Sequence, residues 1–389
     1  MVGLAAAGLN LAGVARASAA HCVPSWDTQP ANVGPGDNEL DGVAVTSACN
    51  VWAVGHRSNS SRVDRTLIER WNGKVWRVHR SASPGGLNGT DLYGVAAASS
   101  SNAWAVGDFS NGTSDQTLIE HWNGRSWKVQ SSPDPGGATN DAALSAVAAV
   151  SPTDAWAVGF YYNGTADQTL ILHWNGRKWR LQTSPTLGSS TRRNGSFAFR
   201  TGIDLTGVAA TSSKNAWAVG FNFNGTANQT LVEHWNGKRW QTQPSLNPGG
   251  SASNNTLSAV AATSSDNAWA VGNYSAGRGA PEQTLVEHWN GRAWKTQTSP
   301  NPGGSTGTAL NGVAATSPTN AWAVGTSRLG MAEDPPVVER WNGKSWRVQP
   351  SLDLAGSLFG VAATSPTNAW AVGDYYNGTA SQTLGVHCC

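Results

Sequence analysis

Residues 144–184 read LSAVAAVSPTDAWAVGFYYNGTADQTLILHWNGRKWRLQTS, and this stretch decides the fold. Leu144 to Val150 is a short run of apolar and small residues. Ser151-Pro152-Thr153-Asp154 is a turn, and Ala155 to Tyr162 is a second strand pattern. Asn163-Gly164-Thr165 opens a loop before a third strand, Gln168 to Trp174. Asn175-Gly176 then predicts a tight hairpin of type I′, which needs positive φ at both central residues. Arg177 to Gln182 forms the fourth strand. The core of the unit, Trp-Ala-Val-Gly, recurs at Trp52, Trp104, Trp156, Trp217, Trp269, Trp322 and Trp370. A period of about 50 residues means one supersecondary unit stacked on its own copies. Seven units of four short strands predict an all-β, seven-bladed propeller with four antiparallel strands per blade.

The residues that might suggest chemistry have places in such a ring. Small residues, as in Gly207-Val208-Ala209-Ala210, suit a first strand crowded around the axis. The chain has 20 Trp. They fall into three repeated positions: in Trp-Ala-Val-Gly, before Asn-Gly (as Trp174), and after the hairpin (as Trp179). Aromatics recurring in every unit are expected to pack between blades. His121, His173, His234, His288 and His387 recur at one third-strand position, far from the axis, where equivalent residues cannot converge on one substrate. They read as structural, and no catalytic residue is assigned. No nucleophile elbow, Walker loop, HExxH or EF-hand pattern occurs. No metal or cofactor is implied.

The last copy ends early. Gln382 to His387 aligns with a third strand, and Cys388-Cys389 stands where Trp-Asn is expected. Ser25-Trp26-Asp27-Thr28-Gln29 resembles Lys178-Trp179-Arg180-Leu181-Gln182, so residues 25–30 are expected to complete blade seven and remove an open edge. Cys22 then lies near the terminal cysteines, and a disulfide to Cys388 or Cys389 is expected to clasp the ring. Sequence does not choose among the pairings of four cysteines, and Cys49 is left free or paired with the remaining one. Residues 1–20 are expected to be a signal peptide, with an apolar run from Val2 to Val14 and small residues at Ala17 to Ala20, leaving 21–389 as one domain. The location is therefore secreted or cell surface.

Only 13% of the 389 residues are charged and the net charge is +2, which excludes a basic nucleic-acid-binding surface. No stretch reads as a membrane span. The variable connections, between strands two and three and from blade to blade, fall on one face of the ring. Loops on a rigid scaffold carry function, so this is the expected working face. Its aromatic-plus-Asn-Gly-Thr loops give the candidate ligand-binding residues Phe109, Tyr161, Tyr162, Phe223, Tyr274, Tyr375 and Tyr376. The long insertion from Pro185 to Leu205 adds Arg193 and Phe197, and the divergent loop from Thr326 to Pro336 adds Glu333 and Asp334 as acids for an enzymatic alternative. Asn111, Asn163, Asn224 and Asn377 lie in Asn-x-Ser/Thr sequons and are glycosylation candidates.

The repeats Asn-Ala-Trp-Ala-Val-Gly and Glu-His-Trp-Asn-Gly-Lys/Arg-x-Trp resemble uncharacterised Trp-rich β-propeller repeats of exported bacterial proteins, over residues 25–387. The resemblance implies architecture and is nearly silent on activity. The expectation is an exported, non-catalytic binding or scaffold protein, with a glycan or cell-surface partner met through the loop face. Two alternatives stand beside it: a self-assembling surface array or filament, with a homo-oligomeric partner, and a polysaccharide lyase or glycosidase.

Overall fold

The computed structural model describes residues 24–25, 33–34, 36–58, 61–185, 202–277, 279–328, 335–350 and 355–388. Seven four-stranded antiparallel sheets form a ring. Blade one runs Asn38–Ser47, Asn50–Ser58, Asp64–Trp71 and Trp76–His79. Blades two to seven open at Thr90, Ala142, Ile203, Asn255, Thr308 and Gly356. Blade seven supplies only three full strands of its own, ending at Cys388. In its fourth place a two-residue strand, Pro24–Ser25, pairs with Cys388 and His387.

That closure is where the sequence expectation needs correcting. Pro24, not Trp26, stands opposite Cys388, so the register differs by two residues from the one the Trp26–Trp179 alignment implies. Residues 26–30 lie outside the described residues, as do 1–20, Cys22 and Cys389. Cys388 is disulfide-bonded, and its partner also lies outside them. Cys49 is free. The ring is held shut a second way. The Ser381 amide donates to Asp37 Oδ1 at 3.0 Å, and Gln382 Nε2 donates to the Gly36 carbonyl at 3.1 Å.

Local chemistry explains the strand order. In Trp-Ala-Val-Gly the glycine is obligatory: a Cβ on Gly159 would lie 2.0 Å from the Ala143 carbonyl oxygen. Each first strand carries a bulge after its leucine, as between Leu144 and Ala146. The residue after the bulge must be small, because first strands crowd at the axis. A Cβ on Gly42 would meet the Tyr93 carbonyl at 2.9 Å. The Asn-Gly hairpins are not type I′. Gly176 takes φ +84°, whereas among the described non-glycine residues only Arg62 has positive φ. Asn175 instead accepts the Arg177 and Lys178 amides on its Oδ1, so its side chain supplies the turn that two left-handed residues would have made. The same turn recurs on the opposite face at Asn163-Gly164, whose Oδ1 accepts the Thr165 and Ala166 amides.

The seams between blades form the core. Trp156 is wholly buried. It meets Trp235 and Trp240 of the next blade at centroid distances of 5.2 Å. Trp52, Trp217, Trp269 and Trp370 make equivalent pairs of contacts near 5 Å, and Trp104 makes its pair at 6.2 and 6.3 Å. The third-strand histidines His173, His234, His288 and His387 stack on the second-strand tryptophans and bond the turn residue before them. His234 stacks on Trp217 at 4.0 Å and bonds Asn215 Oδ1 at 2.8 Å. Arg70 and Arg340 replace it by sitting over Trp52 and Trp322 at 4.7 and 4.9 Å.

Candidate functional site

The second-strand ends place the expected ligand aromatics at two different positions. Phe109, Tyr161, Tyr274 and Tyr375 pair with the opening residues of their blades and are half-buried, packed against the seams. Tyr162, Phe223 and Tyr376 come one residue later, and Tyr376 is 50% exposed. Period-two alternation separates the groups, so they do not form one continuous platform. Arg193, Phe197, Glu333 and Asp334 lie outside the described residues. The four glycosylation candidates are all exposed. Asn111 and Asn224 also spend their Nδ2 donors on Ala138 and Ser251 carbonyls.

Sequence reasoning missed the channel. The bulge in each first strand turns one residue toward the axis, three residues in from the loop face. These are Asp41, Tyr93, Ser145, Thr206, Ser258, Asn311 and Phe359, lining a cavity of about 170 Å³. The signal was present: between an invariant leucine and a Gly or Ala, this is the variable position of an otherwise uniform strand. The ring thus carries two aromatic faces and five hydrogen-bonding side chains.

Ionisable groups cluster around the cavity residues Asp41 and Tyr93: Glu39 and His56 of blade one, Asp91 and Asp108 of blade two, and Asp374 of blade seven. The positions of Glu39 and His56 are Ala143 and Phe160 in blade three, Thr256 and Asn273 in blade five, and Ala309 and Thr326 in blade six. His56 Nδ1 lies 3.9 Å from Asp41 Oδ2 and 3.7 Å from Asp91 Oδ1, ion pairs rather than hydrogen bonds. Tyr93 Oη points to Asp108 Oδ2 at 3.5 Å.

Burial and the neighbouring Asp41 charge push the Glu39 carboxyl well above the usual carboxylate range. Burial pulls His56 down, but Asp41, Glu39 and Asp91 more than reverse this and raise it. Asp91 is raised to about 6, chiefly by burial. Burial, with Asp108 beside it, raises Tyr93. Groups with opposed protonation preferences in one cluster form a polar centre that can donate and accept hydrogen bonds at neutral pH. Among the described residues no group of His, Cys, Asp and Glu has the geometry of a metal site.

The buried glutamates of the third strands belong elsewhere. Glu120, Glu233, Glu287 and Glu339 are wholly buried and raised to about 7 by burial. Each accepts a hydrogen bond from the connection leaving the preceding blade: the Ala82 amide, Ser184 Oγ, the Leu246 amide and Ser299 Oγ. They fasten one blade to the next. Among the described residues no helix is long and apolar enough to cross a membrane.

No protein-family model matches the chain, and no curated protein matches it in sequence. Among solved structures it is similar to a GH74 xyloglucanase from Xanthomonas campestris, with a TM-score of 0.57 and 13% identity. That match covers 91% of this chain and 55% of the xyloglucanase, so the chain spans about half its length. It is also similar to a PL25 ulvan lyase bound to a sulfated GlcA–Rha disaccharide unit, with a TM-score of 0.54, 11% identity and coverage of 90% and 94%. A protein of unknown function from Dyadobacter fermentans aligns with a TM-score of 0.48 and 9% identity, covering 91% of this chain and 95% of its own. At these identities the likeness is one of fold.

Proposed function

We propose that this chain is an exported, non-catalytic binding propeller whose ligand is a carbohydrate held at the loop-face end of the channel. One observation carries the reading: the bulge ring, where the repeats diverge, combines aromatic Tyr93 and Phe359 with the polar side chains of Asp41, Ser145, Thr206, Ser258 and Asn311. Aromatic faces take the C–H face of a sugar, and carboxylate, hydroxyl and amide groups take its hydroxyls. The scaffold around the ring is rigid, so little ordering cost falls on binding. A xyloglucanase and an ulvan lyase use related propellers, which agrees with a carbohydrate ligand. A glycan panel tests it. Tyr93→Ala and Asp41→Asn are expected to weaken the selected glycan at least about tenfold. Wild-type binding to no glycan overturns the reading.

The enzymatic alternative is favoured by His56 standing between Asp91 and the cavity residue Asp41, an imidazole beside two carboxyls. Incubation with neutral and uronic-acid polysaccharides separates the two readings. Bond cleavage lost in His56→Ala would replace binding by catalysis.

A further inference from the structure

Blades three and five each carry a second opening, outside the channel. Tyr161, Gln168, Gln182 and Ser184 line a groove of about 310 Å³. Tyr274, Gln283, Gln297 and Ser299 line one of about 370 Å³. These are the same four positions of the repeat, and both volumes reach the lower end of the ~300–1,000 Å³ of small-molecule sites.

The two grooves share the same rear wall. Ser184 donates to the buried Glu233 of blade four at 2.8 Å and lies 2.5 Å from the Thr169 hydroxyl. Ser299 donates to Glu339 of blade six at 2.6 Å. Buried carboxyls of the next blade thus fix the rear wall, while no Asp, Glu, His, Lys or Arg lines either groove among the described residues. Each tyrosine leans on a seam cluster, so its ring is already ordered before a ligand arrives. Tyr274 Oη donates to Gln283 Oε1 at 2.7 Å, which leaves the Gln283 amide donors for a ligand; Gln168 Nε2 gives one donor to the Asp167 carbonyl at 2.9 Å and keeps the other.

The other blades lack one part or another. Blade four has Asn222 at the tyrosine position. Blade two has Phe109 there, and its Gln116 amide is already bonded to Ser114, Asp115 and Gly137. Blade seven has Tyr375, but the described residues of its fourth strand are Pro24 and Ser25 alone, so its remaining groove positions lie outside the described residues.

We infer that the grooves at Tyr161 and Tyr274 are twin sites for neutral hexopyranose units of one polysaccharide, each pairing an aromatic face with amide and hydroxyl groups. The inference rests on the carbohydrate reading above and adds sites, ligand charge and valency to it. Two identical sites on one rigid ring bind a long chain with an avidity ~10²–10⁴-fold above that for a short fragment.

The test uses the full chain against immobilised neutral β-glucan and galactomannan, and against their short oligosaccharides in solution. Wild type is expected to hold one of the polysaccharides at least about 100-fold more tightly than its oligosaccharide. Tyr161→Ala or Tyr274→Ala alone should abolish that gain, and the pair should remove groove binding. Gln168→Ala with Gln283→Ala, at half-buried positions, should repeat the loss without disturbing the seams. A double tyrosine variant that keeps wild-type avidity overturns the inference. If Tyr93→Ala abolishes binding while both groove pairs leave it intact, the grooves fall and the channel reading stands. Wild type binding no glycan, neutral or charged, overturns both.

Discussion

Among the described residues, six seams of the ring are closed by three tryptophans each, and the seventh shows one seam tryptophan, Trp322. Between blades three and four, Trp156, Trp235 and Trp240 interlock. Between blades six and seven, Trp322 is 3% exposed, yet among the described residues no aromatic ring meets it; it packs with Ala369, Cys388 and aliphatic side chains under the Arg340 guanidinium. An apolar cavity of about 30 Å³ lies beside it, lined by Trp322, Trp370, Val386 and Cys388 among others. There the described residues show the Pro24–Ser25 strand beside a disulfide-bonded Cys388.

The largest effect should come from deleting a ring on each side of this comparison. Trp156→Ala is expected to cost about 3–5 kcal/mol by cavity formation and lost burial. Trp322→Ala should cost clearly less, because it has fewer ring partners and already borders a void. Urea unfolding of the two variants measures the difference. Equal costs would mean that the aromatic triad adds nothing beyond area.

The glutamates give the next test. Glu287 is raised from 4.5 to about 7 by burial. The native state therefore binds more protons than the unfolded chain between these values. Its stabilising share is present at low pH and is lost as pH rises through about 7. Blade three already carries Leu172 at this position, wholly buried. Glu287→Leu should gain stability at pH 8 relative to pH 5 by on the order of 2–3 kcal/mol compared with wild type. Parallel unfolding curves at the two pH values would contradict it.

Repairing the odd seam is worth less. Position 24 stands opposite Cys388 as Trp179 stands opposite Trp174. Pro24→Trp should fill the cavity and raise stability by about 1 kcal/mol. A lower melting temperature would show that the strand cannot bring a ring into the seam.

The smallest change exchanges the two stacking solutions. His288→Arg copies the arrangement of Arg340 over Trp322 and should fall within about 0.5 kcal/mol at pH 8. Burial lowers His288, so the unfolded chain binds more protons below about 6.5 and stability drops as pH falls there. The arginine variant should lose that acid-side slope. A slope unchanged from wild type would assign it to other groups.

Much of this was legible in the residues themselves. Trp-Ala-Val-Gly and His-Trp-Asn-Gly specified blade number, strand order and the inter-blade place of the tryptophans, because periodicity and close packing are local statements repeated seven times. The Asn-Gly turn was located correctly but mistyped, since φ at Asn175 depends on its own side chain capping two amides. The terminal strand was found with its register off by two. Trp26 matched Trp179 in sequence, but strand pairing is settled by partners hundreds of residues away.

The sequence by itself determined the ring, since every blade carries the same instructions. Only the tertiary structure decided what the ring encloses. Asp41, Tyr93 and five further bulge residues are dispersed along the chain from residue 41 to 359, and closure alone brings them to one axis. Likewise Glu39, His56, Asp91 and Asp374 form one cluster because blade seven meets blade one, a contact that no local pattern encodes.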